Sequence, residues 1–281
     1  MLAAYSIGVD IYSKTENFYH SVATEKTIIG KSLFGRNLYA VKAGNGSPVG
    51  IAQYALHGRE FITAGLAFEH FEAGVYAGSL WLLPLTNPDG ALLSEVGLKS
   101  VEKKSDREYL VHLNGNEDFS LWKANGRGVD LNVNFAACWG KGVKNVRVAG
   151  AENYVGKNPF SEPESLALKR FTEEIKPDYT VSYHTKGEEI YWYFHQSLRA
   201  CERDKRLATA LSKSTGYALA HAKGSAGGYK DWCIQRFGIP SFTVEAGRDA
   251  LPHPLRERDL PEIVEKNKNA LYDLSKEYCL L

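Results

Sequence analysis

The chain reads as an α/β protein on two observations. Strand-like and helix-like segments alternate along its 281 residues, and no repeat, linker or low-complexity tract divides it. That argues for one unit spanning 1–281, in which residues 1–30 form at most a short N-terminal extension. The length is large for one domain, yet single α/β domains of this size occur and bury a sizeable core.

Each element has a local reason. Residues 31–43 and 50–56 (GIAQYAL) are apolar enough for early strands, the second of them buried. After it, Phe61, Ala64, Phe68 and Phe71 recur at helical spacing. Residues 78–85 (GSLWLLPL) read as a central strand ending in a turn at Asn87-Pro-Asp-Gly90. Ser161 begins a capping box with Glu164, Pro163 lies in the first turn, and residues 165–175 carry the helix to Pro177. Tyr179-Thr-Val-Ser-Tyr183 is a β-branched and aromatic run suited to a buried strand. Segments 200–215 and 260–278 are helical by composition and spacing, and the strand-like Ser241-Phe-Thr-Val-Glu245 lies between them after Pro240.

Composition narrows the function classes. With 34 basic and 33 acidic side chains interspersed, the net charge is +1 and no basic face for nucleic acid is implied. No apolar run approaches the roughly 18 residues of a membrane span. The first twenty residues have no basic start and carry Asp10, so neither a signal peptide nor an anchor is expected, and the expected location is cytoplasmic, or outside after lysis. Cys138, Cys201, Cys233 and Cys279 lie far apart with no CxxC, offering neither a zinc knuckle nor a disulfide framework.

The chemistry is concentrated at His57-Gly58-Arg59-Glu60, where a nitrogen ligand leaves a strand and a carboxylate stands on the first helical turn. Catalytic zinc takes three protein ligands and a water, and two histidines with a glutamate are a recurring set. The second histidine is His184, closing the Tyr179–Tyr183 run at the turn Thr185-Lys186-Gly187. A strand's carboxyl end is where open α/β sheets expose their sites. Glu245 ends another strand-like run, where a carboxylate is suited to take a proton from water whose pKa zinc has lowered from about 15.7 toward about 7. Taken singly, an HxxE spacing arises often by chance and a loop glutamate is usually only solvated. The combination carries the reading.

These pieces together resemble the zinc carboxypeptidase family, whose His₂Glu set is among the known zinc arrangements. The likeness runs in order through Gly35-Arg36, His57-Gly-Arg-Glu60, Asn87-Pro-Asp-Gly90, Gly128-Val-Asp-Leu-Asn132, Ser161-Glu-Pro-Glu164, Ser182-Tyr-His184, Gly227-Gly-Tyr-Lys-Asp-Trp232 and Thr243-Val-Glu245. Within the family, His184-Thr-Lys-Gly-Glu-Glu-Ile-Tyr-Trp192 and the Gly227–Trp232 stretch look most like the bacterial branch that cuts γ-D-glutamyl-diamino-acid bonds in cell-wall peptides.

The resemblance implies a mixed eight-stranded sheet flanked by helices. It implies one Zn²⁺ per chain on His57, Glu60 and His184, and Glu245 as general base and acid. Arg127 is the cation implied at the scissile carbonyl, worth about 3 kcal/mol at the transition state, with Asn125 competing for that place. Asn132 falls where the family binds a substrate carboxylate. Val133 follows it where digestive members carry an arginine, and valine supplies no forked donors. That departure argues against ordinary C-terminal trimming and for a substrate whose carboxylate lies elsewhere, as on diaminopimelate, or for an endopeptidase role; the resemblance implies a muropeptide. Lys223 stands where digestive enzymes have a mobile tyrosine, and Asp231 matches a specificity-pocket aspartate suited to an ammonium, or else a first-turn helix carboxylate. His253 follows Glu245 closely enough to line a rim.

Two other classes remain open at this level. An acylase-type amidohydrolase of N-acyl amino acids, or a zinc carboxypeptidase on ordinary peptides, would keep the ligands and Glu245 and change the pocket. A silent peptide-binding module would have lost a ligand or the base, and none is missing here. His20, His70, His112, His195 and His221 read as surface or packing residues, and Tyr191 to Phe194 as core and rim aromatics.

Overall fold

A computed structural model describes residues 8–221 and 224–281. The first seven residues of the N-terminal stretch and the site candidate Lys223 lie outside the described residues. Eight strands form one mixed sheet: β1 (Lys26–Lys31), β2 (Asn37–Asn45), β3 (Val49–Tyr54), β4 (Gly78–Leu83), β5 (Tyr179–His184), β6 (Glu189–Tyr191), β7 (Ala218–Ala220) and β8 (Ser241–Glu245). Their order across the sheet is β1-β2-β4-β3-β5-β8-β6-β7. The middle of it, β4, β3, β5 and β8, is parallel, and antiparallel pairs flank it at β1/β2, β2/β4 and β6/β8.

Period-two alternation sorts the strand side chains onto two faces. Val41, Ala43, Ala52, Tyr54, Leu80 and Leu82 point to one side, where they pack with Phe18 of α1 (Ile11–Ser21), Leu66 of α2 (Thr63–Ala73), Leu207 of α6 (Leu198–Thr215), Ile263 of α8 (Leu260–Asn267) and Leu274 of α9 (Ala270–Tyr278). Ala40, Ile51, Trp81 and Leu83 point to the other, against Leu168 and Phe171 of α5 (Pro163–Ile175) and Trp232 of α7 (Tyr229–Phe237). Every residue of β5 is buried, as a strand covered on both faces requires. Truncating a side chain such as Leu82 to alanine here costs about 2–5 kcal/mol. Helices α3 (Pro88–Val96) and α4 (Lys104–Asn114) close the end of the molecule near Trp122. No helix among the described residues is long and apolar enough to cross a membrane.

Four local expectations change. The strand expected over 31–43 is interrupted by a turn, β1 ending at Lys31 and β2 beginning at Asn37, because the Ser32 N–H bonds the Arg36 carbonyl at 2.8 Å and Gly35 adopts φ +84°. Asn87-Pro-Asp-Gly90 opens α3 instead of forming a free turn. Asn87 caps it by accepting from the Gly90 N–H at 3.0 Å, and Pro88 takes a first-turn position that needs no donor. The Ser161–Glu164 capping box does not form. The cap of α5 is Glu162, the Ser161 hydroxyl donates to the Glu162 carboxylate at 2.8 Å, and Glu164 is drawn away to accept from the Leu33 N–H at 2.9 Å. Residues 260–278 are two helices parted after Asn267, whose carbonyl accepts from His70 Nε2 at 2.8 Å while its amide donates to the Tyr217 hydroxyl at 2.8 Å.

Candidate active site

Three neighbouring parallel strands end at one place. His184 is the last residue of β5 and Glu245 the last of β8, and the two are paired in register. His57 lies three residues beyond the end of β3. The chain leaves β3 through Ala55, held at φ +49° by its N–H to Thr63 Oγ1 at 2.9 Å and by the Asn87 N–H on its carbonyl at 3.1 Å. Gly58 then seats the ligand turn. Its N–H bonds the Lys123 carbonyl at 2.9 Å, and a Cβ there would lie 2.5 Å from the Gly90 oxygen and 2.8 Å from the Trp122 oxygen. A side chain at position 58 would lift His57 and Glu60 away from this wall. Glu60 itself stands in a tight 3₁₀ turn ahead of α2.

His57, Glu60 and His184 are all buried, and one ligand atom from each lies within 4.8 Å of the others. His57 Nδ1 is 2.8 Å from Glu60 Oε1, His184 Nδ1 is 2.8 Å from Glu60 Oε2, and the two Nδ1 atoms are 3.0 Å apart. Two imidazole nitrogens and both oxygens of one carboxylate thus share a single small space. Protons satisfy such contacts one pair at a time, whereas a divalent cation takes all three donors together, and neutral imidazole with carboxylate is the donor set zinc accepts. The residues therefore fit a zinc ion.

The charges of these groups act strongly on one another. Burial pushes the Glu60 carboxyl up, but the two imidazoles beside it outweigh that and hold it well below the usual range, so it is ionised. For His57 burial favours the neutral ring, and the charges of Glu60 and Asp130 overcome it and raise its pKa. Asp130 Oδ1 lies 3.2 Å from His57 Nε2, and its Oδ2 lies 2.8 Å from Lys123 Nζ. A carboxylate on the far nitrogen of a ligating histidine fixes its ring orientation and raises its basicity. Burial pushes the Glu245 carboxyl up to about 7, with His184 pulling it down and Glu60 pushing it further up. That is the range in which a carboxyl both accepts and returns a proton near neutral pH.

These groups open into a cavity of about 400 Å³ whose wall includes His57, Lys123, Asn132, Val133, Asp231 and Glu245. Asn132 Oδ1 accepts from the Tyr229 N–H at 3.2 Å. Asp231 joins Lys230 at 2.5 Å and accepts weakly from the Gly228 N–H at 3.3 Å, capping α7. His253, half-buried, is outside this wall but within reach of the Glu60 and His57 charges. Burial lowers its imidazole to about 4, and its Nδ1 has no partner among the described residues.

Arg127 and Asn125 do not converge on the ligands. Arg127 is partly exposed, with Nη1 3.4 Å from Glu162, in a separate cavity of about 990 Å³ that Arg36 and Tyr109 also line. Asn125 is buried scaffold. It donates to Glu162 at 2.8 Å and Glu164 at 3.1 Å and accepts from the N–H groups of Arg127 and Val129. The cation that the loop brings to the ligands is Lys123, four residues earlier, because the Gly58 bond fixes that end of the loop against the ligand turn. Asp130, Lys123 and Lys230 were not singled out by the sequence. The first and last lie inside the quoted GVDLN and GGYKDW motifs, and Lys123 follows Trp122 with no motif of its own.

The family model described as zinc carboxypeptidase matches residues 11–270, and the chain belongs to that family. It is therefore a peptidase of the zinc metallocarboxypeptidase class. Among curated relatives, γ-D-glutamyl-L-diamino acid endopeptidase 1 of Lysinibacillus sphaericus is 30% identical over 275 residues, covering 91% of this chain and 68% of the relative. Murein peptide amidase A of Escherichia coli K12 is 36% identical over 122 residues, 40% of this chain and 46% of the relative. The fold is that of solved zinc carboxypeptidase structures. Bovine thrombin-activatable fibrinolysis inhibitor, bound to a tick carboxypeptidase inhibitor, superposes with a TM-score of 0.77 at 21% identity over 96% of each chain.

Proposed function

We propose that the protein hydrolyses an amide bond in bacterial cell-wall peptides, the γ-D-glutamyl-diaminopimelate bond, with one zinc ion held by His57, Glu60 and His184. The observation that carries the hydrolytic part is the meeting of three buried ligand atoms within 4.8 Å beside Glu245, which is paired in register with His184. When bound there, zinc supplies the positive charge that activates water and polarises a carbonyl. Glu245 takes the proton from the attacking water and gives it to the leaving amine. Lys123, its ammonium turned toward Asp130 on the cavity wall, supplies the charge for the developing oxyanion, the part expected of Arg127 or Asn125. Asn132 binds a substrate carboxylate with its amide, and Asp231 contacts an ammonium.

The substrate class is supported by two bacterial relatives, one named for the γ-D-glutamyl-L-diamino acid bond and one for murein peptides, while Val133, which supplies no guanidinium fork, sets the cavity apart from that of digestive members. The test is to incubate zinc-loaded and chelator-treated protein with L-alanyl-γ-D-glutamyl-diaminopimelate and identify the products by mass. Diaminopimelate released only by the loaded protein supports the reading. Cleavage of ordinary α-linked C-terminal residues instead would reject the substrate and leave the zinc chemistry standing.

A further inference from the structure

We infer that the buried Lys230–Asp231 pair reads a side chain that ends in both an ammonium and a carboxylate on one carbon, as the distal end of diaminopimelate does. The inference rests on the cell-wall peptide reading above and names what selects the amino acid after the cut bond.

Both residues stand in the first turn of α7 and in the wall of the cavity that holds Glu245 and Asn132. Lys230 is 6% and Asp231 4% exposed, with Nζ to Oδ1 at 2.5 Å. An ion pair this buried adds little net stability over apolar residues of the same volume, because desolvation consumes most of the attraction. Capping does not explain Lys230 either. Asp231 alone accepts from the Gly228 N–H, and the Lys230 ammonium, with Nζ 5.5 Å from the Phe194 ring centre, adds a cation–π contact that uses none of its hydrogen-bonding capacity.

Unused bonding capacity gives the pair a ligand preference. The Lys230 ammonium has three N–H groups, of which one meets Asp231 and one the Tyr193 carbonyl at 3.2 Å. One remains for an incoming carboxylate. Asp231 offers about four lone-pair sites and uses one for Lys230 and a long one for Gly228, leaving room for an ammonium. A side chain with only one charge meets a like charge beside every unlike one. A zwitterionic end meets an opposite charge at both places, and its two groups sit as close together as those of the pair. Asn132 completes the match at the other end of the same residue. With its oxygen on the Tyr229 N–H, its amide nitrogen has no partner among the described residues and is free for the carboxylate next to the cut nitrogen.

The experiment compares kcat/KM of the zinc-loaded protein on four γ-D-glutamyl peptides, whose last residue is meso-diaminopimelate, diaminopimelate amidated on its distal carboxylate, lysine, or 2-aminopimelate. The expected order puts meso-diaminopimelate about tenfold or more above each of the others, since each lacks one charged hydrogen-bonding group. Lys230→Met is expected to erase the gap to the distal amide and leave the gap to 2-aminopimelate partly in place. Asp231→Asn, which retains a side-chain acceptor for Gly228, is expected to do the reverse. The four-peptide comparison on the unaltered protein needs no variant to fold. Equal kcat/KM on all four would overturn the role of the pair while leaving γ-glutamyl cleavage intact, and failure to cleave any of them would overturn the parent reading and this one with it.

Discussion

Lys123 and Asp130 form a 2.8 Å ion pair at the ligand set, and the same carboxylate reaches His57 Nε2 at 3.2 Å. One acid therefore joins the cation assigned to the oxyanion and the imidazole assigned to the metal. Lys123→Met should lower kcat by about 10²–10³, the usual cost of removing one oxyanion donor, while zinc content stays at the unaltered level. Steady-state kinetics with metal analysis on the same sample checks this. Arg127→Ala, which removes only the contact to Glu162, should change kcat by less than about threefold if Lys123 holds the role. The opposite ranking would return the role to Arg127.

Asp130→Asn keeps the shape of the side chain and removes its charge. Loss of a carboxylate behind a ligating histidine typically weakens metal affinity by about 10–100-fold. Competition against a chromophoric chelator should show that decrease. Unchanged affinity would mean that Asp130 serves Lys123 and the N–H groups of Asn132 and Asn153, and not the metal.

Glu245→Gln should retain zinc and lose turnover by at least about 10²–10⁴-fold, the contribution of a positioned general base. A variant that keeps its metal and its rate would remove Glu245 from the chemistry.

Glu164 gives a pH signature in stability. It is fully buried, burial first and the neighbouring Asp89 second push its carboxyl up to about 7, and it faces Leu33 and Asn125 away from the cavity. Its folded pKa is above the unfolded value of about 4.3, so the folded chain binds more protons than the unfolded one between those values. Stability falls as pH rises through that window, by on the order of 3 kcal/mol for this group. Urea unfolding at about pH 5 and pH 8 should show the fall, and Glu164→Gln should flatten it. An identical pH slope in the variant would locate the effect elsewhere.

Much of the candidate site was legible in the sequence because its parts sit at strand ends. His184 and Glu245 terminate β-branched or aromatic runs, and His57 follows one, so pattern alone carries them to the sheet's carboxyl edge. What the sequence hid depends on long-range contacts. Lys123 reaches the ligands because Gly58 bonds its carbonyl, and Arg127 is drawn off by Glu162, a residue 35 positions away. The same holds for the fold. The hairpin within 31–43 turns on a backbone bond between Ser32 and Arg36, and the break after Asn267 follows contacts from His70 and Tyr217 that no local window contains.

Diffraction from crystals of the zinc-loaded protein, collected on both sides of the zinc absorption edge, locates the metal in the fold. One anomalous peak per chain is expected, at the point shared by His57 Nδ1, the Glu60 carboxylate and His184 Nδ1. A map with no peak there, or with the zinc bound at another group of side chains, would contradict that placement.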